Sequence, residues 1–111
     1  MKIVYIAHPI GAPTKQGIEN NLADLRRIVR KINLEYPDIV PFVPYYVDIV
    51  SMDDNNLSER ARGMQNDMAI LLSGVVDELW LTGNRISEGM TSERKIAYAK
   101  NIPVTDMINK L

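Results

Sequence analysis

The chain of 111 residues contains no cysteine and only one histidine, His8. The first absence excludes a disulfide framework and thiolate chemistry. The second leaves too few nitrogen and sulfur ligands for a structural zinc site, and neither a metal nor a cofactor is expected. An excess of charge of one sign is also lacking. Thirteen Lys and Arg against 14 Asp and Glu give a formal net charge of −1, which creates no field to draw the protein to nucleic acid or to a membrane. No apolar run approaches the ~20 residues that cross a bilayer. The opening Met1–Ala7 runs directly into Pro9 and Gly11; this reads as a strand and a turn, not a signal peptide with a small-residue cleavage site. A cytoplasmic protein is expected. Linkers, internal repeats and low-complexity tracts are missing too, so residues 1–111 read as one domain of ordinary globular composition, 46% hydrophobic and 24% charged.

What is present alternates. Residues 2–7 are an apolar run suited to a central parallel strand. After a turn over 8–17, Ile18, Leu22, Leu25, Val29 and Ile32 recur at helical spacing, with Arg26, Arg27, Arg30 and Lys31 mostly on the wet side. Pro37 and Asp38 stop this helix. Residues 39–43 read as a second strand, placed at an edge because Pro41 has no N–H to give a ladder. Residues 44–56, with Tyr45, Tyr46, Asp48, Asp53 and Asp54, read as a long loop with at most a short helical turn, and a loop of that length in a small domain is usually functional or disordered. Leu57, Ala61, Met64, Met68 and Leu71 mark a second long helix, capped by Asn56 or Ser58. Val75-Val76 with Leu79–Leu81 supply a third strand, residues 89–100 a further helix, and Ile102-Pro103-Val104 the start of a fourth strand. Residues 106–111 read as a short helical or mobile tail. Strands without polar alternation, each followed by a helix, predict an α/β fold: a flavodoxin/Rossmann-like three-layer sandwich with a four- to five-stranded, mainly parallel sheet.

The chemistry-bearing residues fall at the ends of these elements. Ser87-Glu88-Gly89-Met90-Thr91-Ser92-Glu93 follows the third strand, so Glu93 lies on one helix face with Gly89 and Ala97, a face with little bulk besides its carboxylate. An acid there, near a helix N-terminus, is expected to be held ionised. Tyr5 lies in the first strand, and His8, Pro9 and Gly11 in the loop that leaves it. Asn84, Arg85, Ser87, Gly89 and Met90 occupy the corresponding stretch after strand three, and in a doubly wound sheet these two loops converge on one edge. Asp67 lies beside the apolar positions Met64, Met68 and Leu71, where an acid must be solvated, paired or functional. Each residue also has an ordinary role open to it: core tyrosine, turn histidine, solvated arginine, helix cap or solvated acid.

The succession Asn66-Asp67-Met68-Ala69-Ile70-Leu71-Leu72, Val76-Asp77-Glu78-Leu79-Trp80-Leu81, Ser87-x-Gly89-Met90-x-x-Glu93 and Ala97-x-Ala99-x-x-Ile102-Pro103-Val104, with the opening Val4–Ile10, resembles the nucleoside 2-deoxyribosyltransferase superfamily. It is similar above all to small bacterial and phage members of that superfamily, and also to deoxynucleoside monophosphate N-glycosidases. The resemblance implies cleavage or transfer at the N-glycosidic bond of a nucleoside or nucleoside monophosphate. Glu93 would attack the anomeric carbon, Tyr5 would orient it, and Asp67 would handle the proton of the departing base. His8, Pro9, Gly11, Asn84, Arg85, Ser87, Gly89 and Met90 would line the substrate site, with Ser87 and Gly89 on the 5′-phosphate side. It also implies a homo-oligomer with a dimer as the basic unit. Two alternatives stay open: non-catalytic binding of a nucleotide or nucleotide-derived signal, and a small interaction domain presenting Tyr45 and Tyr46.

Overall fold

The computed structural model describes residues 1–111. Eight elements follow one another: β1 (Lys2–Ala7), α1 (Lys15–Glu35), β2 (Ile39–Phe42), α2 (Tyr45–Ser51), α3 (Leu57–Leu72), β3 (Glu78–Leu81), α4 (Glu88–Ala99) and β4 (Val104–Asp106). The four strands form one sheet in the order β2-β1-β3-β4, and every pairing is parallel. The architecture is the three-layer α/β sandwich that the alternation predicts. Helices α3 and α4 pack on each other, whereas α1 packs on β2, as right-handed connections to opposite faces require. No helix is long and apolar enough to cross a membrane.

The two inner strands carry the core. Val4, Tyr5, Ile6, Ala7 and Leu79 are completely buried, joined by Leu25, Ile28 and Ile32 of α1 and by Leu71, Met90 and Ala97 from the opposite layer. Strands covered on both faces need no polar alternation, which is why β1 and β3 read as apolar runs. Pro41 pairs with Val4 in the register of β1 and β2 and is tolerated because β2 lies at the sheet edge.

Four boundaries differ from those the sequence predicts. Helix α1 begins at Lys15, not Ile18, because Thr14 caps it by accepting from the Gly17 N–H at 3.0 Å. The predicted loop over 44–56 holds a two-turn helix, α2, whose Tyr45 is buried. Val75 and Val76 precede β3 without joining it: the sheet is entered at Asp77, which donates its N–H to Ile3 O and accepts the Ile3 N–H, both at 2.8 Å. Finally, the tail is tied to the carboxyl end of β3 and the turn that follows it. Met107 N–H bonds Leu81 O and Asn109 N–H bonds Gly83 O.

Between β1 and β3 the strand order reverses, and the loops leaving their carboxyl ends diverge to form a crevice. Thr82 pins those ends together, with both its N–H (2.9 Å) and its hydroxyl (2.8 Å) on Ala7 O. Gly83 then turns the chain at φ +90°, and a Cβ there would stand 2.7 Å from Pro9 Cδ. Gly74 has a similar φ of +85° with nothing within 4 Å. Gly83→Ala is therefore expected to lower the unfolding free energy by roughly 1–3 kcal/mol, and more than Gly74→Ala does, because only Gly83 adds a clash to the backbone strain. Urea unfolding of the two variants checks this; equal losses would show that the Pro9 contact is unimportant.

Candidate functional site

A cavity of about 460 Å³ opens over the crevice between β1 and β3, within the size range of small-ligand sites. The β1–α1 loop contributes His8, Ile10 and Gly11. Helix α2 brings Tyr45, Asp48 and Ile49, the following loop Asp53, Asp54 and Asn55, and α3 Glu59, Arg60, Met64 and Asp67. Arg85, Ser87, Gly89, Met90 and Glu93 line it from the start of α4. Most residues that the sequence analysis selects thus meet in one place, and they are joined by an acid-rich wall from α2 and its loop.

Helix α4 is fixed from its first turn. Ser87 caps it by accepting the Met90 N–H at 3.3 Å, and the Met90 sulfur takes the Ser87 N–H. The Met90 side chain and Ala97 are buried, so the helix lies close over the sheet and its intervening residue, Glu93, is carried inward. Glu93 keeps a little accessible surface toward the cavity and is otherwise walled in by protein. Burial pushes its carboxyl up to about 8; the neighbouring Tyr5 hydroxyl acts against that shift, and the charge of Asp67 adds to it. The expectation that the helix terminus keeps Glu93 ionised is therefore corrected. Glu93 is the sixth residue of α4, beyond the first turn in which the helix dipole is felt, and desolvation wins.

Tyr5 stands directly behind this carboxyl. It is fully buried, and its hydroxyl makes no hydrogen bond of good geometry, although it lies near enough to Glu93 to favour the charged form. Burial first, then the charges of Glu93 and Asp67, hold the Tyr5 phenol well above its ordinary value, so it is a donor and never an anion here. Its ring packs against that of Tyr45, with centroids 5.8 Å apart. The Tyr45 hydroxyl donates to Ile6 O, which latches α2 to the central strand. Tyr45 is thus a buried strut, and the reading of Tyr45 and Tyr46 as a jointly exposed contact surface does not hold.

Asp67 faces the same space from α3. One of its carboxyl oxygens is buried without a partner. Burial, with the charge of Asp48 adding to it, raises Asp67 to about 7. Asp48 is itself held by Asn66, whose Nδ2 donates to it at 3.2 Å.

The β1–α1 loop divides its residues between two sides. His8 touches the cavity, but its ring nitrogens are engaged elsewhere: Nδ1 lies 2.7 Å from Pro9 O and Nε2 lies 3.0 Å from Asp24 Oδ2. Burial acts to raise Asp24, but hydrogen bonds from His8 and Arg27 outweigh it and hold the carboxyl below its ordinary range. Pro9 and Asn84 do not reach the cavity. They line a separate polar depression with Asp24, Arg27 and Asn109, because the Gly83 turn directs Asn84 to the other side of His8. Gly11 remains in the cavity wall, where a Cβ would stand 3.8 Å from Asp54 Oδ2. Asp48, Asp53, Asp54, Glu59, Arg60 and Glu88 also line the cavity, and none of them has a role that follows from the sequence. The density of acids over residues 48–59 is the signal that points to most of them. No group of three or more His, Asp or Glu side chains is arranged to hold a metal ion.

Because Glu93 titrates near 4.5 when unfolded and about 8 when folded, the native state holds its proton more tightly and loses stability as pH rises through that window. Glu93→Gln is expected to leave stability unchanged near pH 4 and to raise it above pH 8. A gain of roughly 1–3 kcal/mol is expected, reduced from the full linkage value by water in the cavity. Urea unfolding at a series of pH values tests the sign; a variant that gains nothing with rising pH would place Glu93 in water.

A family model described as a domain of unknown function, DUF7768, matches residues 2–107. No curated protein matches the chain. The matched stretch runs from the start of β1 past the end of β4 and includes every residue that lines the cavity; the chain belongs to the DUF7768 family.

Proposed function

We propose that the protein cleaves, or transfers across, the N-glycosidic bond of a nucleoside or nucleoside monophosphate, with Glu93 as the nucleophile. One observation supports this above the others: two carboxyls with raised pKa values, Glu93 and Asp67, line one small-molecule cavity, with a buried tyrosine hydroxyl directly behind Glu93. A pair of carboxyls on either side of a sugar is the equipment of a retaining glycosidase, and perturbed acids in a cleft mark functional sites. The resemblance to nucleoside 2-deoxyribosyltransferases points the same way.

In this reading the pair works with one proton. Glu93, ionised, attacks the anomeric carbon, while Asp67, protonated, gives its proton to the departing base. The Tyr5 hydroxyl donates to the Glu93 carboxylate and steadies it for attack. Ser87 and Gly89 at the start of α4 take the 5′ end of the sugar, with Arg85 and Arg60 beside them, because the first N–H groups of a helix have no partner within it. Water or a second base then displaces the sugar from Glu93.

A second copy of the chain is the protein partner in this reading. Leu57, Met64, Met68 and Leu72 form an exposed apolar stripe along α3, with Val75 exposed just beyond its end, and Met64 also borders the cavity. An isologous dimer would cover the stripe. Light scattering at micromolar concentration is expected to give about twice the 12.6 kDa of one chain, and Met68→Glu with Leu72→Glu to return it to one. A wild-type chain that stays monomeric would remove this part of the reading.

For the chemistry, the test is release of free base from deoxynucleosides and their 5′-monophosphates. Glu93→Gln is expected to abolish release while retaining ligand binding. The pair predicts a bell-shaped kcat/KM with apparent pKa values of about 7 and about 8: only the singly protonated pair reacts, and because Glu93 is the higher of the two, it reacts through the minor form in which the proton has moved to Asp67. Asp67→Asn should remove the alkaline limb. Full turnover by Glu93→Gln would refute the nucleophile, and ligand binding without any turnover would leave a binding protein.

A further inference from the structure

The charge of the cavity wall narrows the ligand beyond that proposal, on which the inference rests. Seven carboxyl groups line the cavity, against the guanidinium groups of Arg60 and Arg85. The chain's ion pairs all lie elsewhere, on Glu78, Asp24 and Glu19, so none of the seven is held in a contact ion pair. Even with Asp67 and Glu93 each holding a proton, Asp48, Asp53, Asp54, Glu59 and Glu88 outnumber the two arginines. This is the wrong lining for a dianionic phosphate. The neighbouring polar depression has a different balance, with Asp24 already engaged by Arg27 at 2.8 Å, so the acid excess belongs to the cavity and not to that whole end of the fold.

Acidic lining alone describes a field. A ligand is indicated independently by the enclosed space beside Glu93 and by a polar atom left without a partner in its wall. One Asp67 carboxyl oxygen is buried with no hydrogen-bond partner, and buried polar groups are rarely left so. The Tyr5 hydroxyl, fully buried behind Glu93, has only that carboxyl to turn to, so the unmatched group facing the cavity is the Asp67 carboxyl, next to the one placed to meet a sugar carbon.

We infer that the cavity takes a nucleoside without a 5′-phosphate whose base already carries a positive charge, of the pyridinium or ring-alkylated purine kind. The acidic wall of α2 and its loop receives the cationic ring. A cation beside Asp67 and Glu93 opposes the burial that raises both carboxyls, so such a ligand favours the ionised form of its own nucleophile on arrival; a phosphate would do the opposite. The chemistry also closes without an acid. As a Glu93 carboxylate oxygen bonds the anomeric carbon, the carbon–nitrogen bond breaks and its electron pair passes to the ring nitrogen, cancelling the positive charge. The base leaves neutral and needs no proton. Water then attacks the anomeric carbon and gives a proton to the Asp67 carboxylate, and the bond to Glu93 returns its electron pair to the carboxylate.

The experiment uses the full chain with three probes: nicotinamide riboside, its 5′-monophosphate, and neutral 2′-deoxyadenosine. Base release is followed by chromatography, and each rate is divided by its uncatalysed rate. The expected result is a kcat/KM for nicotinamide riboside at least about tenfold above that for either other probe. Asp54→Asn combined with Glu59→Gln, which keeps shape and removes charge, should lower that preference several-fold. Turnover of the monophosphate or of deoxyadenosine equal to that of nicotinamide riboside overturns the inference; if Glu93→Gln is inactive in that same experiment, the glycosidic reading survives it. If no probe is turned over, the glycosidic reading falls, and calorimetric binding decides the inference. Nicotinamide riboside binding ahead of the other two supports it, and any other order, or no binding, refutes it.

Discussion

Desolvation of the Glu93 carboxyl is the constraint around which the site is arranged. A carboxylate carried inward on a close-packed helix must be protonated, hydrogen-bonded or opposed by a cation. Here the nearest groups are a tyrosine hydroxyl and a second acid. Tyr5 favours the charged form and Asp67 the neutral one, so the protonation state of Glu93 is set by a contest between two neighbours on different elements. A ligand that adds one charge or one hydrogen bond shifts that contest. The site is therefore sensitive to what enters it in a way that a solvated acid would not be.

The fold produces this arrangement through its strand order. With β1 and β3 side by side in the middle of the sheet, the residues at their carboxyl ends are the most enclosed of any strand ends, and both loops must part there. Thr82 ties the two ends together, and Gly83 lets the chain pass close to Pro9. On the far side, His8, Asp24 and Arg27 form a chain of hydrogen bonds that holds the β1–α1 loop from behind. The imidazole thus braces the wall of the cavity.

Much of the fold was legible because both kinds of apolar pattern are clean: unbroken runs in β1 and β3, and helical spacing in α1 and α3. The edge position of β2 was legible from Pro41 alone. Helix α2 was not, since seven residues offer fewer than two full periods and its start, Pro44, makes no side-chain cap; its place is set by the tertiary contact of Tyr45 with Ile6. Within the site, the positions of Glu93, Ser87, Gly89, Arg85 and Gly11 follow from strand ends and caps. The protonation of Glu93 does not, because burial depends on how closely α4 approaches the sheet. Their strand-end loops place Pro9 and Asn84 at the cavity in sequence, but both line the polar depression on the other side of His8, Asn84 because the Gly83 turn comes just before it.

The β2–β3 connection has one further property. It crosses over β1 without contributing a strand, and it carries Asp48, Asp53, Asp54 and Glu59 on residues 45–59, whereas Glu93 and Tyr5 belong to segments locked into the sheet layers. Most of the acidic lining therefore sits on a stretch of chain separate from the one that carries Glu93, although Asp67 shares it. Substitutions at residues 48–59 can recolour the cavity from acidic to neutral or basic while β1, β3 and α4 keep their packing, so proteins of this architecture can diverge in what they admit without rebuilding the strand ends beneath.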